Sequence, residues 1–265
     1  MADMSREATA SGAAQNFAGK VAVVTGGGAG VGFGIARAFA RRGARLAIAG
    51  RTEATLAHAA ALIEEAAGSA VLAIAADVGV AADCERIVAE TVDRFGQLDI
   101  LVNNAAHFAL LPLVAADAEE AARFLAVNVA GALHCARAFA NWAIERGKGG
   151  QIVNVSSIAG SRPAPGCGLY SASKAALNSL TRSMALEWGR EGLRVNAVAP
   201  GHVATEGVIE DFRAGRLDEA AMINRIPARR IADVDDIADA VLFLCGDGAR
   251  HIMGQVLTVD GGEGF

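Results

Sequence analysis

The sequence predicts an α/β fold with one doubly wound, seven-stranded parallel sheet and helices on both of its faces. Short apolar runs rich in β-branched residues alternate with longer amphipathic stretches of helical periodicity, which is typical of parallel strands joined by helices. The 265 residues are enough for one large core, and no linker or internal repeat divides them. We expect the strands at residues 20–24, 45–49, 70–75, 99–102, 152–155, 194–199 and 255–259.

Residues 1–16 contain acidic side chains and lack the apolar centre of a secretory signal. We therefore expect a poorly ordered leader over residues 1–16, followed by a single domain over residues 17–265.

Charge and composition argue against several classes of function. The net charge of −5, with no block of like charges, disfavours a nucleic-acid or anionic-membrane partner. No run reaches the ~18 apolar residues of a transmembrane helix. The four cysteines are widely spaced and the five histidines are scattered, so we expect reduced thiols, no metal site and a cytoplasmic location.

The first predicted strand opens into a glycine-rich segment, TGGGAGVG at 25–32, and an amphipathic helix then runs to Arg42. Glycines let the backbone turn tightly and approach a pyrophosphate, while the helix N-terminus supplies free N–H groups and a positive dipole. Such a loop is weak evidence by itself, and the strand before it and the helix after it make it specific. The cofactor contacts predicted here are Gly26, Gly28, Gly30, Val31 and Gly32.

The residues after the second strand predict which dinucleotide binds. An acidic residue there would bind the ribose 2′-hydroxyl of NAD(H), but this chain has Gly50, Arg51 and Thr52. No carboxylate repels a 2′-phosphate, and Arg51 can pair with one, so we expect NADP(H) in preference to NAD(H). The alternative for Arg51 is a solvated surface arginine. Thr52 is included among the cofactor contacts.

Further cofactor contacts are expected after the other strands. Two roles are open for Asp77: it accepts a hydrogen bond from the adenine amino group, or it caps the helix expected at 80–95. Asn103 and Asn104 follow the fourth strand, where an asparagine can brace the loop under the cofactor by bonding to backbone. The remaining candidates are Val78, Ala105, Pro200, Gly201, Val203 and Thr205.

An acid/base centre is predicted within residues 151–178. Ser157 follows the fifth strand, and Tyr170 and Lys174 share one face of the next helix because they are four residues apart. An ammonium about 4 Å from the phenol contributes ~4 kcal/mol at an effective dielectric of about 20. That corresponds to about three pKa units and would bring the tyrosine near neutral pH. With the serine holding an oxygen, these groups suit interconversion of C–OH and C=O.

A core tyrosine and a surface lysine are the commoner explanation of a Tyr-x-x-x-Lys match. Two facts favour the chemical interpretation. Tyr170 is the only tyrosine in the chain and lies among Ser, Ala and Gly residues rather than in an aromatic cluster. The glycine-rich segment also supplies a site for the hydride carrier that such chemistry needs.

Two other stretches bear on the site. A helical pattern covers roughly 117–146 with Asn128 in its interior, where asparagine is unfavourable, so we expect Asn128 to bind a backbone carbonyl or an ordered water near the lysine. Residues 206–226 have weak periodicity and mixed charge and are expected to form a mobile segment over the substrate. The expected borders of the substrate pocket, for each of which a structural role fits equally well, are His107, Phe108, Arg162, Cys167 and His202.

Together these motifs resemble the classical short-chain dehydrogenase/reductase family, in its 3-oxoacyl-carrier-protein-reductase-like branch, over roughly residues 17–265. Ala106 departs from the family pattern, which usually has glycine there, and adds one methyl group without removing a chemical group. The segments that carry the resemblance are TGGGAGVG at 25–32, NNAA at 103–106, Asn128, Ser157, YSASK at 170–174, PG at 200–201 and VDGG at 259–262.

The resemblance implies a Rossmann fold, a homotetramer and a catalytic tetrad. Tyr170 would act as acid and base, and Lys174 would lower its pKa and hold the nicotinamide ribose. Ser157 would polarise the substrate oxygen, and Asn128 would anchor a water-linked proton relay. The family's serine lies thirteen residues before the tyrosine, which selects Ser157 over Ser156.

The sequence therefore predicts an enzyme that transfers hydride between NADP(H) and a small-molecule carbonyl or alcohol, with NADPH-dependent reduction favoured. Three alternatives stay open: an NAD-dependent dehydrogenase of a sugar or steroid alcohol, an enoyl C=C reductase, and a non-catalytic dinucleotide-sensing protein. The related enoyl reductases generally lack this serine and Tyr-x-x-x-Lys set. The sequence does not choose between an acyl thioester, a sugar, a steroid and a small ketone as substrate.

Overall fold

The computed structural model describes residues 16–264 and confirms the seven-stranded parallel sheet. Each strand begins and ends within two residues of its predicted position. The strands are β1 Val21–Thr25, β2 Arg45–Gly50, β3 Val71–Ala75, β4 Ile100–Asn103, β5 Gly150–Val155, β6 Leu193–Pro200 and β7 Val256–Val259. The helices are α1 Gly30–Arg41, α2 Glu53–Ala67, α3 Ala81–Phe95, α4 Ala118–Leu125, α5 Ala132–Glu145, α6 Gly168–Trp188, α7 Glu206–Arg213, α8 Glu219–Arg225 and α9 Val234–Cys245.

The strand order is β3-β2-β1-β4-β5-β6-β7, so the chain reverses its direction across the sheet between β1 and β4. Ala22 pairs with Ile100 there, while Val21 pairs with Arg45 on the other side of β1. In doubly wound sheets, ligands bind outside the carboxyl ends of the strands at such a reversal. The topology alone therefore places a binding crevice beyond the ends of β1 and β4.

Side chains of the strands alternate between two apolar cores, one on each face of the sheet. In β1, Ala22 and Val24 enter the core formed with α1, α2 and α9. Val21 and Val23 enter the opposite core, formed with α3, α5 and α6. Because both faces are covered, every residue of β1 is buried, which explains its uninterrupted apolar sequence.

The helix expected over 117–146 is interrupted. It consists of α4, a π-helical segment Ala126–Gly131 and α5. The interruption has two local causes. Asn128 turns its amide to the backbone of residue 107, and Gly131 lies so close to Val78 that a β-carbon there would be 2.7 Å from the Val78 carbonyl oxygen. Wide turns of this kind often occur at functional sites.

The segment expected to be mobile, residues 206–226, contains α7 and α8. Both helices are capped by side chains: Thr205 accepts from the Val208 N–H, and Asp218 accepts from the Ala221 N–H. Apart from Asn16, the expected leader over residues 1–16 lies outside the described residues. Within the part of the chain that the structure describes, no helix is both long and apolar enough to cross a membrane.

Gly131→Ala and Gly207→Ala form a matched pair that tests the close approach of the π-helical segment. Alanine stabilises a helix more than glycine does, by up to about 1 kcal/mol per residue. At Gly207 no heavy atom lies within 4 Å of an added β-carbon, so stability should rise by a few tenths to about 1 kcal/mol. At Gly131 the added methyl group would collide with Val78, so the Gly131→Ala variant should be less stable than the wild type by about 1–3 kcal/mol. Urea unfolding measures both values, and equal shifts in the two variants would contradict the close packing.

Candidate active site

A cavity of about 240 Å³ lies outside the carboxyl ends of β1, β2 and β3, on the β3 side of the reversal. Its walls bring together many of the residues predicted from the sequence as cofactor contacts. The predicted residues in the wall are Gly26, Gly28, Arg51, Thr52, Asp77, Val78 and Ala105. The structure adds Ala29, Gly50, Thr55, Leu56, Ala76, Ala106, His107, Arg123 and Val127.

The added residues differ in whether the sequence alone could have predicted them as wall residues. Thr55 lies in the first turn of α2, three residues after the cap residue Thr52, so it is close in sequence to two predicted contacts. Arg123 and Val127 come from α4 and the π-helical segment, more than seventy residues further along the chain. No local pattern links them to the glycine-rich loop, and only the tertiary fold brings them to the cavity.

The glycine-rich loop is tied directly to the loop after β4. The Asn104 side-chain amide donates to the carbonyl oxygens of Thr25 and Gly26, at 3.0 and 3.2 Å. The Thr25 hydroxyl accepts from the backbone N–H groups of Asn104 and Ala105, at 3.0 and 3.1 Å. The expectation that an asparagine braces this loop is confirmed for Asn104. Asn103 instead bonds to Ala132 and to a side chain of β5.

Glycine is required at two positions of this loop. Gly26 has a φ of 64°, in the left-handed region. A β-carbon at Gly32 would lie 2.2 Å from the Gly26 carbonyl oxygen and 2.4 Å from the Asn104 amide nitrogen. Gly30, Val31 and Gly32 form the first turn of α1, whose cap residue Ala29 makes no side-chain cap. The backbone N–H groups of that turn suit a pyrophosphate, so the residues present fit a dinucleotide.

Asp77 lies in the cavity wall and does not cap α3. The cap residue of that helix is Val80, so the capping role considered for Asp77 is wrong. Its carboxylate accepts from the Gly79 N–H at 2.8 Å, and its own N–H donates to Asp83 at 2.7 Å. These bonds form a tight turn that holds the Asp77 side chain at the cavity.

The segment after β6 lies beside the same strand ends. Pro200 ends β6 opposite Val259, and a β-carbon at Gly201 would touch Asp260 at 2.8 Å. Val203 is buried in the core and forms a bridge with Ala232. The methyl group of Thr205 lies 3.5 Å from the position of a β-carbon at Gly30, so this segment reaches the first turn of α1.

Ser157, Tyr170 and Lys174 come together at the end of β5. The Ser157 hydroxyl lies close enough to the Tyr170 phenol to lower its pKa, and it accepts from the Ala159 N–H at 3.1 Å. The Lys174 ammonium lies 5.6 Å from the centre of the tyrosine ring and donates to the Val155 carbonyl oxygen at 2.8 Å. Ser156 instead turns into the core, where its hydroxyl bonds to Asn178 at 2.6 Å. Ser157 is therefore the serine that faces the tyrosine.

The electrostatics of this group differ from the sequence-based expectation. Burial raises the pKa of the Tyr170 phenol, and the neighbouring Ser157 hydroxyl only partly offsets this. Burial also lowers the pKa of Lys174 to about 8. The lysine was expected to bring the tyrosine pKa towards neutrality, but its ammonium lies over the ring and bonds to Val155. Desolvation of both groups therefore dominates their attraction.

Asn128 is 1% exposed and bonds to backbone on one side and to α6 on the other. Its amide donates to the His107 carbonyl oxygen at 2.9 Å and accepts from the His107 N–H at 2.6 Å. It also donates to the Ser173 hydroxyl at 2.9 Å, which in turn donates to the Tyr170 carbonyl oxygen at 2.7 Å. The expected bond to a backbone carbonyl is confirmed, and it links the tyrosine helix to the loop after β4.

Of the residues expected at the substrate pocket, Phe108 and Cys167 lie near Tyr170, while Arg162, His202 and His107 bond to other groups. The Phe108 ring stands edge-on to the Tyr170 ring, with centroids 5.0 Å apart. Cys167 precedes α6, and burial raises its pKa. His202 bonds to the Glu263 carboxylate at 2.6 Å, and Arg162 donates to the Glu263 carbonyl oxygen at 3.1 Å. His107 bonds to Glu120 at 2.6 Å and lines the cavity.

A cavity that fits a dinucleotide and, at the end of β5, a serine with a tyrosine and a buried lysine are typical of a nicotinamide-dependent oxidoreductase, although these three residues do not line the cavity. Sequence comparisons lead to the same class. A sequence profile of the family described as Enoyl-(Acyl carrier protein) reductase matches residues 26–263. Sorbitol dehydrogenase of Cereibacter sphaeroides is 41% identical over 254 residues, which cover 92% of this chain and 97% of that protein. Galactitol 2-dehydrogenase of Agrobacterium fabrum is 37% identical over 253 residues, with coverage of 92% and 97%.

Structural comparison agrees with the sequence matches. The crystal structure of L-sorbose reductase from Gluconobacter frateurii, complexed with NADPH and L-sorbose, superposes with a TM-score of 0.89 at 30% identity. The superposition covers 94% of this chain and 98% of the reductase. The chain belongs to the short-chain dehydrogenase/reductase family and is an NAD(P)-dependent oxidoreductase.

The buried Lys174 predicts a specific pH dependence of stability. A lysine titrates near pH 10.4 in the unfolded chain, but its pKa is about 8 in the folded protein. Between these values the unfolded chain binds more protons, so the free energy of unfolding rises with pH across that window. Lys174→Met removes this contribution. At pH 7 the variant should have a higher free energy of unfolding than the wild type. This difference should shrink by roughly 2–3 kcal/mol by pH 10.5.

Denaturant unfolding at a series of pH values measures the difference between the two proteins. Lys148→Met is the matched control because it makes the same substitution at an exposed lysine. If the Lys174→Met and wild-type curves ran parallel from pH 7 to 10.5, the lysine would not be held in a desolvated site.

Proposed function

We propose that this protein interconverts a ketone or aldehyde with the corresponding alcohol, using NADP(H) and favouring reduction. The observation that carries the proposal is the Ser157 hydroxyl next to the Tyr170 phenol, beside the buried Lys174 at the end of β5. Ser157 and Tyr170 bind the same oxygen of the substrate. Tyr170 gives its proton to that oxygen in reduction and takes it back in oxidation. The bound nicotinamide supplies or receives the hydride.

The raised pKa of Tyr170 is compatible with a role as the acid in reduction. At neutral pH the phenol carries its proton, which is the form that protonates a developing alkoxide. Lys174 serves as the nearby positive charge that favours the transient phenolate and as a holder of the nicotinamide ribose. Asn128 fixes the helix of Tyr170 through Ser173 and anchors the proton relay.

The preference for NADP(H) rests on the end of β2. Gly50, Arg51 and Thr52 line the cavity, and no carboxylate occupies the position where one would bind the 2′-hydroxyl. Arg51 is exposed and can pair with a 2′-phosphate in bidentate fashion. The bound NADPH in the L-sorbose reductase structure supports the same choice.

The names of the relatives favour one second candidate. Sorbitol and galactitol dehydrogenases suggest NAD-dependent oxidation of a sugar alcohol on the same site. The profile description suggests enoyl reduction, which we rank lower because Ser157, Tyr170 and Lys174 suit a C–OH/C=O centre. A non-catalytic nucleotide sensor would have no need for these three groups together.

We also propose that the protein is a cytoplasmic homotetramer. The family resemblance puts α5 and α6 at a subunit interface. Exposed apolar side chains on these helices, Ile144 and Leu186, fit that arrangement because Leu186 is 84% exposed in the isolated chain.

Fluorescence titration with NADPH and NADH tests the cofactor assignment. Wild-type protein should bind NADPH at least about tenfold more tightly, a difference of about 1.4 kcal/mol. Arg51→Ala should weaken NADPH binding by about tenfold or more and change NADH binding little, because the loss concerns the 2′-phosphate. Arg41→Ala, an equal charge change at the far end of α1, is the control. A wild-type preference for NADH would overturn the assignment.

Tyr170→Phe tests the acid/base role. Turnover should fall by about 10²–10⁴-fold, while NADPH affinity should change little, since the phenyl ring still packs in place. In the wild type, carbonyl reduction should slow as pH rises towards the raised pKa of Tyr170, and alcohol oxidation should speed up. The variant should lose both trends. Steady-state rates from pH 6 to 10 measure them, and an active Tyr170→Phe protein would exclude the proposed mechanism.

A further inference from the structure

An entirely apolar segment begins one residue after the NNAA motif. Residues 108–116, FALLPLVAA, contain no polar side chain. Three of them form what we call the apolar rim, namely Phe108, Leu110 and Leu113, which are 57%, 67% and 65% exposed. Large apolar side chains clustered at this exposure typically mark a contact site.

The apolar rim lies beside the reacting groups. The Phe108 and Tyr170 rings are nearly perpendicular, with an interplanar angle of 87° and a centroid distance of 5.0 Å. Tyr170 is half-buried, and its partner Ser157 is half-buried too. Any molecule whose oxygen bonds to the Tyr170 and Ser157 hydroxyls therefore has Phe108 as a near neighbour.

A second apolar segment completes the rim. Residues 163–169, PAPGCGL, have only the weakly polar thiol of Cys167. The Leu111 N–H donates to the Gly166 carbonyl oxygen at 2.7 Å, which joins the two segments. A β-carbon at Gly168 would lie 2.6 Å from a methyl group of Leu113, so Leu113 packs directly on the first residue of α6. The rim is thus fixed to the helix that carries Tyr170.

The chemistry of the rim selects the substrate class. A polyol held at Tyr170 would direct hydroxyl groups at side chains that neither donate nor accept hydrogen bonds, and those hydroxyls would lose their water. An alkyl or aryl group would instead cover Phe108 and Leu110 and remove their apolar surface from water.

We infer that the substrate is a ketone or secondary alcohol with an alkyl or aryl substituent on the reacting carbon, and that the apolar rim binds this substituent. The inference rests on the proposed carbonyl–alcohol chemistry. It sets this chain apart from the relatives named for sorbitol, galactitol and L-sorbose, whose substrates are hydroxylated along their length.

A homologous series of ketones tests the inference. Rates are measured with the nicotinamide cofactor that binds more tightly, on 2-butanone, 2-pentanone, 2-hexanone, 2-heptanone and 2-octanone, and on dihydroxyacetone and L-sorbose as hydroxylated probes. For wild-type protein, kcat/KM should rise by about twofold to fourfold for each methylene group that the rim covers. The longer alkanones should exceed both hydroxylated probes.

Phe108→Ser should flatten this rise and lower kcat/KM for 2-octanone by about tenfold, while dihydroxyacetone changes by less than about twofold. Leu110→Ser should act in the same direction. Val114→Ser is the matched control, because Val114 is on the same segment but 98% exposed, and it should behave as wild type.

Two results would overturn the inference and leave the proposed function in place: L-sorbose or dihydroxyacetone as the best substrate with a flat alkanone series, or equal effects of Phe108→Ser and Val114→Ser. If every carbonyl compound were inert with intact cofactor binding, the proposed reaction itself would fail, and the role of the rim with it.

Discussion

The glycine-rich loop after β1 and the asparagine loop after β4 approach so closely that residue 32 has no room for a side chain. A β-carbon at Gly32 would overlap both Gly26 and Asn104. This contact sits where the order of strands reverses, and it holds the crevice of a doubly wound sheet in one fixed shape. The contact between the two loops positions the first turn of α1, the cavity wall and the start of the segment that carries His107.

A second set of polar contacts fixes the chemical groups from behind. Asn103, Asn154 and Thr181 form a hydrogen-bonded chain from β4 through β5 to α6, with links of 2.9 Å. Asn128 and Ser173 make a parallel connection to the same helix. Hydrogen bonds are stronger in such a dry interior, and side chains held in this way have few alternative positions. Tyr170 therefore stands on a helix that is anchored to two neighbouring strands.

Local sequence patterns predicted the strands, the glycine-rich loop and the shared helical face of Tyr170 and Lys174, because period, glycine content and helical spacing act over a few residues. The family resemblance selected Ser157 over Ser156. Local patterns missed features that depend on distant neighbours. The π-helical segment arises from contacts of Asn128 and Gly131 with other loops. The wall residue Arg123 reaches the cavity only through the fold. The direction of the pKa shift at Tyr170 depends on burial, which spacing does not report.

Asn128 recognises residue 107 only through its backbone N–H and carbonyl groups. The bonds that connect the helix of Tyr170 to this loop therefore do not depend on which side chains follow in the loop. In this short segment the backbone atoms of residue 107 connect to the helix of Tyr170, whereas the side chains that follow form the apolar rim. Evolution or protein engineering can consequently exchange the side chains after residue 107 to reach new substrates while the reacting centre keeps its geometry.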